Sequence, residues 1–232
     1  MASYYRVEFR LHGYAKRYAK ILIFDISKKF RVNGITRKRA VPHVTLFGPF
    51  TATNIMQVLS EIVDMSKKYD LIPFQICGFD FFNNHKKKVI YLNIKPSKNL
   101  ERLREDISQR LLKITNTKSD YDSKRNFYFH ATVAFKDIDS KFSKIWNYLK
   151  QKEQKNINQH LLRITILKGN KMFYEYDLMQ KRLLNQRQSK NKVLWKRTIE
   201  ILKQKTPDFR QDLEQKENIL ERIKHAIKRH FS

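Results

Sequence analysis

The segment Pro42-His43-Val44-Thr45-Leu46-Phe47 has a counterpart in Phe129-His130-Ala131-Thr132-Val133-Ala134-Phe135, so the pattern His-x-Thr-apolar occurs twice in the chain. Apolar residues surround both copies, which predicts that each copy lies on a β-strand. Side chains alternate along a strand, so the histidine and threonine of each copy are expected on one face, about 7 Å apart. The repeat therefore predicts two equivalent strands that each present an imidazole and a hydroxyl.

Two imidazoles and two hydroxyls suit one kind of reaction. An imidazole has an ordinary pKa of about 6.5, so at neutral pH one ring can accept a proton from water while another donates one to a leaving oxygen. Threonine hydroxyls can donate hydrogen bonds to the non-bridging oxygens of a phosphoryl group. We therefore expect His43, Thr45, His130 and Thr132 to be catalytic, with a phosphodiester as the substrate.

The rest of the chain predicts an α+β domain followed by a helical extension. Strand patterns occupy residues 4–11, 41–47, 72–82, 88–95, 127–135, 161–168 and 171–178, and Pro49 is expected to end the second of these strands. Helix patterns occupy residues 13–30, a segment capped by Thr53 or Asn54, and residues 97–114 and 139–151. We place the first domain at residues 1–179 and a basic extension of two helices, 186–205 and 209–230, within residues 180–232.

Composition limits the function classes. The 232 residues carry a formal charge of +27, and 41% are hydrophobic, which favours a folded protein that binds a polyanion such as RNA. No apolar run is long enough to span a bilayer, so no membrane partner is expected. Cys77 is the only cysteine, which excludes an intramolecular disulfide, and we expect a cytoplasmic monomer. The motifs include no metal-ligand pattern, so neither a metal nor a cofactor is expected.

At these motifs the chain resembles the 2H phosphoesterase superfamily, and within it the RNA 2',3'-cyclic phosphodiesterases also called 2'-5' RNA ligases. The resemblance covers roughly residues 1–179. It implies a bilobal fold in which two similar lobes place antiparallel sheets around a central cleft, with one His-x-Thr from each lobe. It also implies opening of a terminal 2',3'-cyclic phosphate of RNA to a 2'-phosphate. By analogy, His43 is assigned as the acid and His130 as the base.

Three further residues are candidates for substrate binding. Phe47 and Tyr128 are expected on the same faces as His43 and His130, where either could stack on a nucleobase or simply pack. Many relatives of the superfamily have an arginine where this chain has Phe135. Lys136 could replace that cation if the strand extends so far. The basic loop at residues 37–39 could also hold RNA phosphates.

Two alternatives stay open on the sequence. The same chemistry would serve a phosphodiesterase for 2'-5'-linked oligonucleotides or an RNA ligase-like enzyme. A different class of function would be a basic RNA-binding protein without catalysis, in which the motifs are structural.

Overall fold

The computed structural model describes residues 3–34, 41–84, 87–117, 120–123 and 127–206. The basic loop at residues 37–39 and the second predicted helix of the extension lie outside the described residues. By its internal contacts the chain divides into two units, Met1–Gln186 and Arg187–Ser232. In the part that the structure describes, no helix has both the length and the apolar character needed to cross a membrane.

The described elements are ten strands and six α-helices. The strands are β1 (Tyr5–Arg10), β2 (His43–Thr51), β3 (Pro73–Asn84), β4 (Lys87–Pro96), β5 (Asn116–Thr117), β6 (His130–Phe135), β7 (Asn156–His160), β8 (Arg163–Lys168), β9 (Lys171–Asp177) and β10 (Arg182–Asn185). The helices are α1 (Gly13–Phe30), α2 (Ile55–Ser66), α3 (Lys98–Leu111), α4 (Phe142–Lys150), α5 (Gln186–Ser189) and α6 (Lys192–Lys205). Short 3-10 turns occupy Asp120–Asp122 and Asp139–Lys141.

The strands form two antiparallel sheets, which confirms the predicted α+β class. Sheet A has the order β10-β9-β8-β1-β2-β5, and sheet B has the order β6-β4-β3-β7. The apolar side chains of β1 lie between the sheets, where the rings of Phe9 and Phe74 are 5.1 Å apart. Val7 and Phe9 are almost fully buried, so this layer is part of the core.

Local signals explain where several helices begin. The side chain of Asn54 accepts hydrogen bonds from the backbone N–H groups of Met56 and Gln57 at the start of α2. Ser97 accepts one from Leu100 at the start of α3. These side chains satisfy backbone donors that a helix cannot pair internally. The predicted start of α3 is thus confirmed, and of the two predicted caps for α2 the structure uses Asn54.

Two predicted boundaries are wrong. Pro49 does not end β2, because pairing with β1 resumes beyond it, where Phe50 lies opposite Tyr5. A proline is tolerated at that point because the regular ladder is already interrupted. The extension also does not start at residue 180, since β10 pairs with β9 and belongs to sheet A.

Candidate active site

The first motif lies at the start of β2. His43 and Thr45 are partly exposed, whereas Val44 and Leu46 are fully buried. The Nδ1 atom of His43 lies 2.8 Å from the backbone oxygen of Val41. A carbonyl oxygen can only accept a hydrogen bond, so Nδ1 carries a hydrogen and Nε2 is the nitrogen available for proton transfer.

The second motif repeats this arrangement at the start of β6. His130 and Thr132 are partly exposed, and Ala131 and Val133 are buried. The Nδ1 atom of His130 lies 2.9 Å from the backbone oxygen of Tyr128, which is again the carbonyl two residues before the histidine. Both rings are therefore held in the same tautomer by the same local contact.

The fold brings the two motifs together. Cα atoms of β2 and β6 approach within 8 Å, although these strands belong to different sheets. Burial lowers the pKa of His130 below the ordinary 6.5, its hydrogen bond to Tyr128 raises it, and the charge of His43 lowers it further. The net effect favours a neutral His130 ring at neutral pH, which is the form that accepts a proton.

Aromatic rings surround His130. The ring of Phe82 lies 5.0 Å from the imidazole in an edge-on orientation, and that of Tyr91 lies 5.3 Å away. Tyr91 is almost fully buried, and burial together with the charge of Asp80 raises its pKa to about 12. Its hydroxyl therefore keeps its proton throughout the physiological pH range.

The sequence reasoning missed a charged triplet on β1 beside the first motif. Glu8 lies opposite Thr45 in the sheet and is buried, with its Oε2 atom 3.6 Å from Nε2 of His43. Arg10 donates a hydrogen bond from Nε to Oε1 of Glu8 at 3.3 Å, and Nε of Arg6 is 3.7 Å from Oε2. Strand alternation places these three side chains on one face of β1, and the pairing of β1 with β2 shows that they adjoin His43.

Phe47 is not available for stacking, so that hypothesis is wrong. In the pairing of β1 with β2, Glu8 lies opposite Thr45 and Val7 opposite Phe47, so Leu46 is an extra residue in β2. Such a bulge shifts the alternation by one residue and turns Phe47 away from the face of His43. Phe47 is fully buried, and its ring packs 5.4 Å from that of Phe50.

Lys136 is expected to bind phosphate only if the strand of the second motif extends to it, and the strand does not. The strand β6 ends at Phe135, and Lys136 adopts a left-handed backbone conformation with φ of 75°. Its ammonium group lies 5.0 Å from the centre of the Phe135 ring. Lys136 therefore does not continue the face that carries His130 and Thr132.

Tyr128 remains a candidate for stacking, although it precedes β6 instead of lying on it. Its side chain is 61% exposed, and its ring contacts that of Phe82 edge-on at 6.2 Å. It also borders a cavity of about 750 Å³ between α3, the end of β4 and the approach to β6. Asn93, which pairs with His130, lines the same cavity. Tyr128, two residues before His130, thus presents an exposed aromatic ring to this open space.

The described residues contain no group of three or more histidine, cysteine, aspartate or glutamate side chains that could hold a metal ion. The side chains described at this site carry imidazole, hydroxyl, carboxylate and guanidinium groups.

A family model for the 2'-5' RNA ligase superfamily matches residues 27–171, well over half of the chain and both His-x-Thr motifs. The chain belongs to this superfamily. The resemblance seen at the motifs is thereby confirmed. The superfamily match begins after β1, so it does not include the triplet of Arg6, Glu8 and Arg10.

Individual relatives are more distant. A protein from Geobacillus sp. (strain WCH70) described as a putative phosphoesterase is 29% identical over 111 residues, which are 47% of this chain and 60% of that protein. Kluyveromyces marxianus Usb1 with uridine monophosphate gives a TM-score of 0.46 at 10% identity, covering 79% of this chain and 97% of that chain. Escherichia coli LigT complexed with 3'-AMP gives a TM-score of 0.40 at 11% identity, covering 79% and 93%.

Proposed function

We propose that this protein is a metal-independent phosphodiesterase that opens a 2',3'-cyclic phosphate at the end of an RNA and leaves a 2'-phosphate. The proposal rests on the matched anchoring of His43 and His130, each of which donates from Nδ1 to the carbonyl two residues earlier. Membership of the 2'-5' RNA ligase superfamily supports phosphodiester chemistry and RNA as the substrate class.

In the proposed reaction, His130 accepts a proton from water as the water oxygen attacks phosphorus. The bond from phosphorus to the 3' oxygen breaks, and His43 donates its Nε2 proton to that oxygen. The products are a 2'-phosphate and a 3'-hydroxyl, with His130 protonated and His43 neutral. Proton exchange with solvent restores both rings.

Thr45 and Thr132 are proposed to hold the phosphoryl group. Each hydroxyl lies two residues after its histidine on the same strand face, within reach of a phosphate that sits between the rings. Donation to the non-bridging oxygens would stabilise the negative charge that builds up in the transition state. Arg6 and Arg10 supply the cationic surroundings that Phe135 cannot.

The charge of the whole chain favours a nucleic-acid substrate. A formal charge of +27 on 232 residues attracts a polyanion, and RNA binding should weaken steeply as salt rises because counterions are released. We propose that Tyr128 stacks on the terminal base, because its ring is exposed and contacts Phe82, the same ring that packs against His130.

The test uses an RNA that ends in a 2',3'-cyclic phosphate, incubated with the protein in EDTA. We expect ring opening to a 2'-phosphate, and His43→Ala and His130→Ala should each lower kcat at least ~100-fold. His230→Ala is the matched control, because His230 and Ser232 repeat the histidine–hydroxyl spacing without a strand pattern. Full activity in either active-site variant would contradict the assigned roles.

Product mapping separates the alternatives. A 2'-5'-linked oligonucleotide cut to mononucleotides would favour the oligonucleotide phosphodiesterase, and joining of a cyclic-phosphate end to a 5'-hydroxyl would favour the ligase-like enzyme. RNA binding without any change to the RNA would favour the non-catalytic RNA-binding protein.

A further inference from the structure

Glu8 is a buried carboxylate with an incomplete set of hydrogen bonds. Its side chain is 3% exposed, and its Oε1 atom accepts from Arg10. Its Oε2 atom accepts no hydrogen bond among the described residues. Burying a carboxylate oxygen without a donor is costly, so its position calls for an explanation.

The two catalytic rings differ in what faces Nε2. For His43, Nδ1 faces the oxygen of Val41 and Nε2 faces Oε2 of Glu8 at 3.6 Å, so both ring nitrogens face groups that only accept. For His130, Nδ1 faces a carbonyl, and the ring is packed against Phe82 and Tyr91. The first setting suits a ring that carries two protons, and the second suits a neutral ring.

We propose that Glu8 is a positioning residue that keeps a proton on Nε2 of His43, and thereby makes His43 the acid and His130 the base. This inference rests on the proposed function. Glu8 would distinguish the two histidines, which are otherwise anchored by the same contact from Nδ1 to a backbone oxygen. The 3.6 Å separation is longer than a hydrogen bond, so the proton is attracted by the carboxylate yet remains transferable to a leaving oxygen.

Other groups near Glu8 make its charge necessary. Arg6 and Arg10 flank it on β1, Thr45 faces it from β2, and Thr165 lies opposite it on β8. Two guanidinium groups alone would repel a proton on the neighbouring ring of His43. The carboxylate offsets them, so the site can hold two arginines for a phosphate while a negative charge faces Nε2 of His43.

The test compares two leaving groups on one enzyme. The substrates are a short RNA that ends in a uridine 2',3'-cyclic phosphate and its analogue with sulfur in place of the 3' bridging oxygen of that phosphate. A thiolate leaves without a proton more readily than an alkoxide, so the sulfur substrate does not need the acid. We expect Glu8→Gln to slow opening of the oxygen substrate at least ~10-fold and to slow the sulfur substrate less than ~3-fold. His130→Ala should slow both substrates alike.

Glu175→Gln is the matched control. Glu175 is a buried carboxylate in the same sheet, bonded to Thr165 and paired with Arg163. Its loss should lower the melting temperature while the ratio of the two rates stays that of the wild-type protein. The ratio does not depend on the fraction of folded protein, so a destabilised variant is still informative. Glu8→Asp restores the charge and should bring the ratio back towards the wild-type value.

The outcomes separate the two proposals. A wild-type protein that opens neither substrate would refute the proposed function. A wild-type protein that opens both, with Glu8→Gln slowing both by the same factor, would refute only the role of Glu8. A folded Glu8→Gln protein that is inactive on both substrates, or a Glu8→Asp protein that keeps the ratio of Glu8→Gln, would also overturn it.

Discussion

His12 is buried and neutral in the folded protein, so acid should destabilise the fold through this one side chain. It precedes α1, and its Nε2 atom lies 2.9 Å from the backbone oxygen of His160 at the end of β7. The contact joins the end of β1, the strand that carries Glu8, to sheet B. Burial is the main cause that lowers the pKa of His12 from 6.5 to about 4.

The sign and size of the effect follow from these two values. The unfolded chain takes up the proton below pH 6.5 and the folded protein does so only near pH 4, so stability is full above pH 6.5 and is lost as the pH falls between them. At pH 5 the unfolded form of His12 is almost fully protonated and the folded form is not. The free energy of unfolding should therefore fall by about 2 kcal/mol from this residue alone.

Urea unfolding at pH 7.5 and pH 5 measures this loss, with His12→Gln as the comparison because its amide can still donate to the oxygen of His160. Burial also lowers the pKa of His160, so both proteins will lose some stability in acid. The wild-type protein should lose about 2 kcal/mol more than His12→Gln. Equal losses in the two proteins would refute the reasoning.

Four further predictions concern the site and the residues around it. Phe47→Ala should lower the free energy of unfolding by about 3–5 kcal/mol in the same urea titration, because it leaves a cavity at a core position. Tyr128→Ala should change the free energy of unfolding by less than ~0.5 kcal/mol, because the side chain is exposed, but should raise KM for RNA roughly fivefold or more. In a pH profile of kcat/KM, the acid limb should have its midpoint below 6.5, because the pKa of His130 is lowered and the neutral ring is the active form. Lys136→Ala should leave kcat/KM within ~2-fold, since this side chain lies over Phe135 away from the strand face; a larger loss would restore its binding role.

Much of the fold could be predicted because its signals are local. Residues 13–30 form α1 as predicted, since apolar residues recur along one face of that segment. The hairpin between β8 and β9 follows from Gly169 and Asn170, because Gly169 adopts a φ of 59° that a two-residue turn requires. Capping side chains, helical periods and tight turns need no knowledge of distant residues.

Other elements depend on partners that the sequence does not identify. The short strands β5, β7 and β10 carry polar residues and no clear alternation, so only pairing with longer strands makes them part of a sheet. The contact of Glu8 with His43 is also non-local, since it requires the register of β1 against β2. The motif histidines could be identified because their spacing repeats, whereas Glu8 belongs to no repeat.

Leu46, the extra residue in β2, lets one strand present polar side chains on one face before it and bury aromatic rings after it. Before Leu46, the strand carries His43 and Thr45 on one face, where both are partly exposed. After it, the same strand has to fill the interior with Phe47 and Phe50. We therefore expect substitutions of Phe47 or Phe50 to change the stability of the fold more than the orientation of His43 and Thr45.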